Sequence, residues 1–410
     1  MSAGRSAWQR NFYAIWVAQL LAIAGFGTVT PILPFYIQEL GVTDPARLKI
    51  WVGLVQTAGS AMVALFSPIW GRLADSYGRR IMFLRALIGG TAMMALMGTA
   101  THPWQLVLFR GLGGVFTGTV AAATVLVAST APRGQAGRSL GMLQMAVMLG
   151  SALGPVLGGT LADFFGYRTA FFCTAGLLGT AALIVLAFVR EEFTARPPEG
   201  PLWRRIVPEF SVITRSRDLS LLVLVVAVVN LAGGAVMPIL PLYIQSLAPG
   251  AGFLGTTTGA IIGVRALAAA AAAAVVGRVS DRLGYQRVLL FCLLGGVVSH
   301  LLLIPVRTAG ELALLRLFTG VMMGGTIPTV NALIAARADR GRQGTVFGLT
   351  SSVGSAATAL GPAVGASIGA AWGFVPVFAT VAAILGSGAV MVQAAIRRPR
   401  TAPQAPGPEE

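Results

Sequence analysis

The chain has 410 residues, of which 55% are hydrophobic and only 11% are charged, and its formal net charge is +16 at pH 7. Soluble domains carry about a quarter charged residues, so this composition excludes an ordinary soluble globular protein. Apolar runs of roughly 20 residues, the length that crosses a bilayer as a helix, recur along the whole chain and predict a polytopic membrane protein.

The hydrophobic pattern predicts an all-α membrane protein with twelve transmembrane helices in two sets of six. The two sets are separated by the longest polar stretch of the chain, which contains proline, glycine and charges of both signs. The predicted spans cover residues 11–38, 48–70, 81–101, 103–130, 139–163, 168–189, 219–246, 253–276, 287–306, 310–336, 345–371 and 374–396.

The two sets of spans are copies of one another. The segment "TPILPFYIQEL" at Thr30–Leu40 returns as "MPILPLYIQSL" at Met237–Leu247, and an offset of 206 or 207 positions also aligns Arg110 with Arg316. Because six spans are an even number, both copies start on the same side of the membrane and are parallel repeats. The predicted units are an N-terminal six-helix bundle (1–190), a cytoplasmic linker (191–218), a C-terminal six-helix bundle (219–396) and a cytoplasmic tail (397–410).

The basic residues predict the orientation of the chain. Most of them lie in connectors on one side of the predicted bundle, which the positive-inside rule assigns to the cytoplasm. We therefore expect a multi-pass protein of the inner membrane with both termini in the cytoplasm. The positive charge is explained by this rule, so no nucleic-acid partner is predicted. Cys173 and Cys292 lie in apolar spans of different halves, which gives no disulfide framework.

Two short motifs follow from the spacing of small and charged residues. The connector "GRLADSYGRR" after the second span is predicted to be a tight, charged loop between two helices, which could also serve only to fix the topology. Its residues include Gly71, Arg72, Asp75, Gly78, Arg79 and Arg80. In the fifth span, "GSALGPVLGG" places glycines four apart on one helix face, where a second helix can approach closely. Its residues are Gly150, Gly154, Pro155, Gly158 and Gly159.

These motifs, together with "LVLFRGLGGVFTG" in the fourth span, resemble those of the major facilitator superfamily and of its twelve-helix drug:proton antiporters. The resemblance covers essentially the whole chain. It implies two pseudo-symmetric six-helix bundles around a central cavity, and export of small lipophilic compounds by alternating access. It also implies a gating role for the loop at Gly71–Arg80, which would latch one state of the cycle. The proton gradient would then be the energy source, with no other cofactor.

Arginine is the only basic residue type predicted deep within spans, at Arg110, Arg265 and Arg316. Buried charge in a membrane is costly and marks functional sites. The resemblance implies a role for Arg110 in proton handling. Arg265 departs from the repeat, because Gly59 occupies the matching position in the first half.

No aspartate or glutamate lies in the middle of a predicted span. Arginine keeps its proton at neutral pH, so a proton carrier must be sought elsewhere. Glu39 and Asp163, at the borders of spans, are the carboxylate candidates for proton coupling. His300 titrates in a suitable range, but we expect a structural role for it.

Polar and flexible side chains on the spans that line the superfamily's cavity are candidates for substrate binding. They are Gln19, Phe26, Gln56, Gln144, Met145, Asn230, Arg265, Arg316 and Asn331. No nucleophile–base pair and no metal-ligand spacing occurs, so neither an enzyme nor a metal site is predicted.

The sequence thus predicts a monomeric secondary transporter whose partners are a small-molecule substrate, protons and the lipid bilayer. Two alternatives stay open at this point. Three buried arginines without a buried acid also fit a transporter of an anionic metabolite, lipid or siderophore. A membrane sensor that binds but does not move a solute is the second alternative.

The doubled "PILP" segment generates the first testable prediction. Its prolines are predicted to bend the first and seventh spans at their outer ends, where an outer gate would close. Replacing Pro34 or Pro241 by alanine should therefore slow transport more than it lowers the amount of folded protein. Transport per folded molecule, measured in vesicles, tests this, and an unchanged value would remove the gating role.

Overall fold

The computed structural model describes residues 2–132, 135–191, 216–250, 252–338 and 343–396, and for some of them, Gly71, Arg72 and Asp75 included, it describes the backbone only. The described residues form fifteen helices. In chain order they are α1 (Ser2–Glu39), α2 (Pro45–Tyr77), α3 (Arg79–Gly98), α4 (Pro103–Phe116), α5 (Thr119–Thr130), α6 (Ala136–Phe165), α7 (Tyr167–Phe188), α8 (Arg217–Val236), α9 (Leu240–Leu247), α10 (Leu254–Leu283), α11 (Tyr285–Leu302), α12 (Ala309–Gly324), α13 (Thr326–Arg337), α14 (Gln343–Trp372) and α15 (Phe374–Ile396).

Twelve segments of the described chain are long and apolar enough to cross a membrane, which confirms the predicted number of spans. Span four consists of α4 and α5, and span ten consists of α12 and α13. Span seven is α8 continued by the short helix α9. We call the side at which α1 begins the N-terminal face, and the side at which α1 ends the distal face.

Single glycines turn the chain between several neighbouring spans. The connector predicted as a loop after span two is shorter than expected, because α2 continues to Tyr77 and α3 begins at Arg79. Only Gly78 lies between them, with φ of 93°, a conformation that costs other residues about 1–2 kcal/mol. Gly71 is therefore helical and not part of a turn. The same one-residue turn recurs at Gly166, Gly284 and Gly373.

Glu191 closes the start of α3. Its carboxylate accepts the backbone N–H groups of Arg79 (3.1 Å) and Arg80 (2.7 Å). A negative charge at this point satisfies two free amides and complements the positive end of the helix dipole. The residues after span six therefore hold the beginning of span three, a contact that the sequence did not predict.

The doubled segment anchors each half in the same way. The Tyr36 hydroxyl lies 3.2 Å from the carbonyl oxygens of Met97 and Ala100, at the end of span three. Its repeat partner Tyr243 reaches the carbonyl oxygen of Leu303 at 3.0 Å, at the end of span nine. In each half, the distal end of the first span is thereby fastened to the end of the third.

The prolines of the doubled segment have different effects in the two halves. Helix α1 runs without interruption through Pro31 and Pro34, whereas span seven is broken at residues 237–239, before Pro241. Gly233 and Gly234 precede this break, and two successive glycines weaken a helix. Equivalent bends were predicted in spans one and seven, but of these two spans only span seven is broken.

Each half has its own apolar core. Phe83 and Phe171 are among the fully buried residues of the first half, and Leu293 and Phe378 are among those of the second. The predicted linker lies mostly, and the predicted tail entirely, outside the described residues. The boundaries proposed for the two bundles remain predictions.

Candidate functional site

Helix α6 packs on the first span of its own half through three glycines. A methyl group placed on Gly150 would lie 2.9 Å from the Cβ atom of Ile23, and one on Gly154 would lie 3.0 Å from the Cα atom of Gly27. Gly158 packs on the backbone of Thr28 in the same way. Such small residues allow two helix backbones to touch, which is the close approach expected from their spacing of four.

A second face of α6 contacts the other half of the molecule. A methyl group on Gly159 would lie 2.8 Å from the amide nitrogen of Thr256 in α10, and one on Gly259 would lie 3.0 Å from Val156. The helices α6 and α10 therefore meet backbone against backbone near the distal face. We call this contact the α6–α10 interface.

The equivalent contact in the repeat joins α14 to α2. A methyl group on Gly53 would lie 3.1 Å from the carbonyl oxygen of Pro362, and it would also overlap Ala366. We call this contact the α2–α14 interface. The two interfaces lie at equivalent positions of the repeat and together join the halves.

Charged side chains close both interfaces at the distal face. Asp163 accepts the backbone N–H groups of Gly255 (3.0 Å) and Thr256 (2.7 Å), at the N-terminus of α10. Lys49 donates to the carbonyl oxygen of Gly369 (2.9 Å), near the C-terminus of α14, and its ammonium lies 4.6 Å from the centre of the Phe374 ring. Each charge complements the dipole of the helix that it contacts.

A reciprocal amide pair joins the two copies of the doubled segment. The Gln38 side-chain nitrogen donates to the Gln245 side-chain oxygen at 2.9 Å, and the Gln245 nitrogen donates back at 3.2 Å. These two residues occupy equivalent positions of the repeat, at the distal ends of spans one and seven. The distal face is therefore closed across the boundary between the halves.

A cavity of about 420 Å³ lies between the two halves on the N-terminal side of these contacts. Helix α14 supplies half of its lining, and α2, α8 and α13 supply the rest. The lining combines aliphatic and aromatic groups with hydroxyls and amides, and it holds no charged residue: Ser60, Val63, Val226, Asn230, Ile327, Asn331, Phe347, Thr350, Ser351, Gly354, Ser355 and Thr358.

Two of the nine predicted cavity residues line this space. Asn230 donates to the carbonyl oxygen of Val226 (2.8 Å) and accepts from the Thr358 hydroxyl (3.2 Å), and Asn331 lies on α13. The other seven are not among the residues that line it. Phe26 faces Gly90 of α3, and Gln19 and Arg316 are buried. Gln56 and Arg265 are partly buried, and Gln144 and Met145 are exposed.

The hydroxyl groups of α14 that line the cavity were not predicted from the sequence. Thr350, Gly354 and Thr358 follow one another at intervals of four, and Ser351 and Ser355 flank them, so all five share one side of a helix. Hydroxyls at this spacing in an apolar span were the available signal. They were overlooked because serine and threonine are common in membrane helices and often bond their own backbone.

Arginines within the spans have several different environments. Arg110 lies against Gly59, where a methyl group would be 3.2 Å from its Nε atom. Arg85, which the sequence analysis did not single out, stacks 3.5 Å above the Trp70 ring and donates to the carbonyl oxygens that end α4. Arg316 is only 3% exposed. Burying one arginine in a membrane costs at least about 2.5–3.5 kcal/mol, so such residues need a compensating role.

The predicted coupling and gating residues lie in different parts of the molecule. Glu39 forms a long ion pair with Arg168 (3.9 Å) at the distal surface, and both side chains are about half exposed. The side chains of Gly71, Arg72 and Asp75 are outside the described part of the chain, and the gating role of their motif remains a prediction. His300 is 5% exposed and its Nδ1 atom is 2.7 Å from the carbonyl oxygen of Gly296, which fits the structural role expected for it.

Comparison with known families matches this chain to the Major Facilitator Superfamily over residues 15–256 and 222–410. The chain belongs to the Major Facilitator Superfamily. Its relatives include the multidrug resistance protein MdtG of Serratia proteamaculans (strain 568), which is 34% identical over 93% of each chain. The MdtG protein of Enterobacter lignolyticus (strain SCF1) is 37% identical over 95% of this chain and 93% of its own.

Solved structures of this superfamily share the fold at low identity. The human organic anion transporter MFSD10 (TETRAN) is similar over 94% of this chain and 99% of its own, with a TM-score of 0.68 and 21% identity. The nucleoside transporter NupG is similar over 95% of this chain and 99% of its own, with a TM-score of 0.74 and 11% identity. The superfamily consists of transporters, so the chain is not an enzyme.

The α6–α10 interface of this superfamily member generates a prediction. Gly159→Val would place a branched side chain against the backbone of α10, and overpacking of this kind costs about 1–3 kcal/mol. The conformation in which the distal face is closed should then become roughly 5- to 150-fold less populated, relative to the conformation in which that face is open. Transport per folded molecule should fall, while the elution profile of the purified protein stays that of the wild type.

Gly176→Val is the matched control for this substitution. Gly176 lies in α7, is exposed, and a methyl group there would contact nothing within 4 Å. If both variants transport equally well, the backbone contact at Gly159 is not required for the transport cycle.

Proposed function

We propose that this protein exports small lipophilic compounds, drugs among them, from the cytoplasm by alternating access and in exchange for protons. The observation that carries the proposal is the similarity to proteins named multidrug resistance protein, at 34% to 37% identity over more than nine-tenths of each chain. Similarity of this extent supports a common transport activity as well as a common fold.

The cavity supports a lipophilic substrate of modest size. Its volume of about 420 Å³ falls within the usual range for sites that bind small molecules, roughly 300–1,000 Å³. Val63, Val226 and Phe347 offer apolar surface, and hydroxyl and amide groups offer hydrogen bonds of either direction. A lining of this kind favours compounds that differ in shape but share apolar character.

Alternating access is supported by the placement of the contacts between the halves. Asp163, Lys49 and the Gln38–Gln245 pair all lie at the distal face, and the cavity lies on the other side of them. Breaking these contacts while closing the N-terminal face would expose the same cavity to the opposite side. The two interfaces of small residues would then be the surfaces along which the halves separate.

The orientation and the location belong to the same proposal. Among the described residues, Arg79, Arg138, Arg282 and Arg337 lie at the ends of their helices on the N-terminal face, which we therefore assign to the cytoplasm. The bacterial relatives support placement in the inner membrane. Both termini would then lie in the cytoplasm by the positive-inside rule, and we propose that the protein acts as a monomer. The described conformation would then be open toward the cytoplasm.

Asp163 is the candidate for proton coupling that we favour. Its negative charge holds the N-terminus of α10 in the other half, so gain of a proton would weaken the closed distal face. Tyr167 is a titratable side chain close enough to interact electrostatically with it. Glu39 pairs within its own half at an exposed surface, where such pairs contribute little, and arginine at position 110 keeps its charge.

Export and exchange can be tested together in energised inside-out vesicles. A lipophilic dye that accumulates only in vesicles containing the protein would establish transport. Collapse of the pH gradient on addition of that dye, again only with the protein present, would establish exchange for protons. Accumulation without collapse would retain export and overturn the coupling, and no accumulation of any neutral, cationic or anionic dye would overturn the proposed function.

Asp163→Asn tests the coupling residue. Asparagine keeps an oxygen that can accept from α10 but removes the charge, so the closed distal face should lose stability and its dependence on protonation. Dye transport should slow and should no longer change with external pH. Glu39→Gln is the matched control, since it makes the same chemical change at the distal surface. Wild-type transport by the asparagine variant at every pH would remove Asp163 from the coupling.

A further inference from the structure

The polar part of the cavity lining comes mainly from the second half of the molecule. Among the lining side chains that carry a hydroxyl or an amide group, only Ser60 belongs to the first half. The others lie on α8, α13 and α14, and α14 alone supplies Thr350, Ser351, Ser355 and Thr358. A compound in the cavity therefore meets most of its hydrogen-bonding partners on α14.

The hydroxyl groups of α14 depart from the repeat. The offset of 207 positions places Leu143 of α6 at the position of Thr350, and Met148 at the position of Ser355. Helix α6 nevertheless packs at the equivalent place in the first half, through the same arrangement of glycines. Hydroxyl groups at these positions are therefore not required for the packing of the helix, and they are available for another role.

Two of the α14 hydroxyl groups are already bonded to their own helix. Thr350 donates to the carbonyl oxygen of Val346 at 2.8 Å, and Thr358 donates to that of Gly354 at 2.9 Å. A threonine bonded in this way has used its only donor and keeps only the lone pairs of its oxygen. These two residues present acceptors to the cavity.

Four other polar side chains of the lining keep their full capacity for hydrogen bonds. Within the described part of the chain, no hydrogen bond involves the side chain of Ser60, Asn331, Ser351 or Ser355. Ser351 is exposed and the other three are half-buried, so a compound in the cavity can reach them. Each serine offers one donor and two lone pairs, and the asparagine amide offers two donors and an acceptor.

Ser351 and Ser355 are spaced for binding two groups of one compound. Four residues rise about 6 Å along a helix, and side chains at this interval are neighbours on one face. Hydrogen bonds about 2.8 Å long from two such hydroxyl groups reach two neighbouring oxygens on a single ring. Asn331 of α13 lines the same cavity and adds donors that α14 lacks.

We propose that Ser351, Ser355 and Asn331 bind a polar edge of the transported compound that consists of two neighbouring, uncharged oxygen groups, such as adjacent hydroxyl groups. The apolar remainder of the compound packs on Val226 and Phe347. The lining holds no charged side chain, so an ionised group on this edge would lose water without gaining a counter-charge. This inference names a substrate class for the proposed exporter and rests on that function for the word substrate.

Two probes of nearly the same size and shape test the proposal. They are naphthalene-2,3-diol, which is uncharged at neutral pH, and 2,3-dimethylnaphthalene, in which methyl groups replace the hydroxyl groups. Binding of each tritium-labelled probe to the purified full-length protein in lipid nanodiscs is measured by scintillation proximity, with empty nanodiscs as the blank. The wild-type protein should bind the diol, and absence of diol binding would overturn the proposal.

Ser351→Ala and Ser355→Ala are the informative variants. Each should lower the affinity for the diol about 3- to 10-fold, the effect of losing one neutral hydrogen bond, and leave the affinity for the dimethyl compound unchanged. The double variant should lower the affinity for the diol about 10- to 100-fold. An unchanged affinity for the diol, or an equal loss for both probes, would overturn the proposal.

Ser352→Ala is the matched control, because it makes the same change one residue away on α14. Ser352 is not among the residues that line the cavity, and its hydroxyl donates to the carbonyl oxygen of Gly348 at 3.1 Å. The control should leave both affinities unchanged. Alanine favours helix, so all of these variants are expected to fold, and an unchanged affinity for the dimethyl compound shows that the cavity is intact.

Transport of the same probes in energised inside-out vesicles separates this inference from the proposed function. Accumulation of both probes, with diol binding that the double variant does not weaken, would retain export and reject the polar edge. Diol binding that the double variant loses, without accumulation of either probe, would retain the binding site and reject export of this class of compound.

Discussion

The contact of α6 with α10, backbone against backbone, is the constraint on which the rest of the structure depends. It exists because Gly159 and Gly255 carry no side chain where the helices meet. In an apolar solvent, helices gain little from burying hydrocarbon, so close packing of this kind is a principal source of affinity between them. The contact brings the carboxylate of Asp163 within 3.0 Å of the N–H groups at the start of α10. Because the halves touch here, the space between them opens toward the other face.

The two halves share one architecture but use charge differently. At the distal face, the α6–α10 interface is closed by a carboxylate that contacts a helix N-terminus. The α2–α14 interface is closed by an ammonium group that contacts the C-terminal end of a helix. In the middle of the membrane, Arg110 faces a glycine, whereas its repeat partner Arg316 is joined by Arg265. Duplication fixes the positions of the helices, whereas the charged side chains at equivalent positions differ between the halves.

The sequence predicted the number of spans, the repeat and the helix-packing motif because each depends on a local pattern. Apolar runs of about 20 residues give the spans, and glycines at intervals of four give one helix face. The partners across the structure could not be predicted in this way. That Glu191 closes the start of α3, or that Phe26 faces α3 and not the cavity, depends on how distant helices are arranged. The hydroxyl groups of α14 were visible but resembled ordinary membrane-helix composition.

The doubled segment shows how far such a pattern can be interpreted. Its repetition indicated that spans one and seven are equivalent, and the pairing of Gln38 with Gln245 agrees with that. The same prolines nevertheless break only span seven, where two adjacent glycines, Gly233 and Gly234, precede them, whereas Gly25 and Gly27 of span one are separated by Phe26. The repeated segment thus showed that spans one and seven are equivalent. Whether the helix backbone breaks there depended on residues one turn away.

The one-residue turns at Gly78, Gly166, Gly284 and Gly373 also constrain how the chain enters the bilayer during synthesis. A connector this short allows no delay between the two helices that it joins. We therefore expect spans two and three, five and six, eight and nine, and eleven and twelve to insert as helical hairpins. Spans one, four, seven and ten are joined to their neighbours by longer connections and can insert singly. Each half would be assembled in the same order: a single helix, a hairpin, a single helix and a second hairpin.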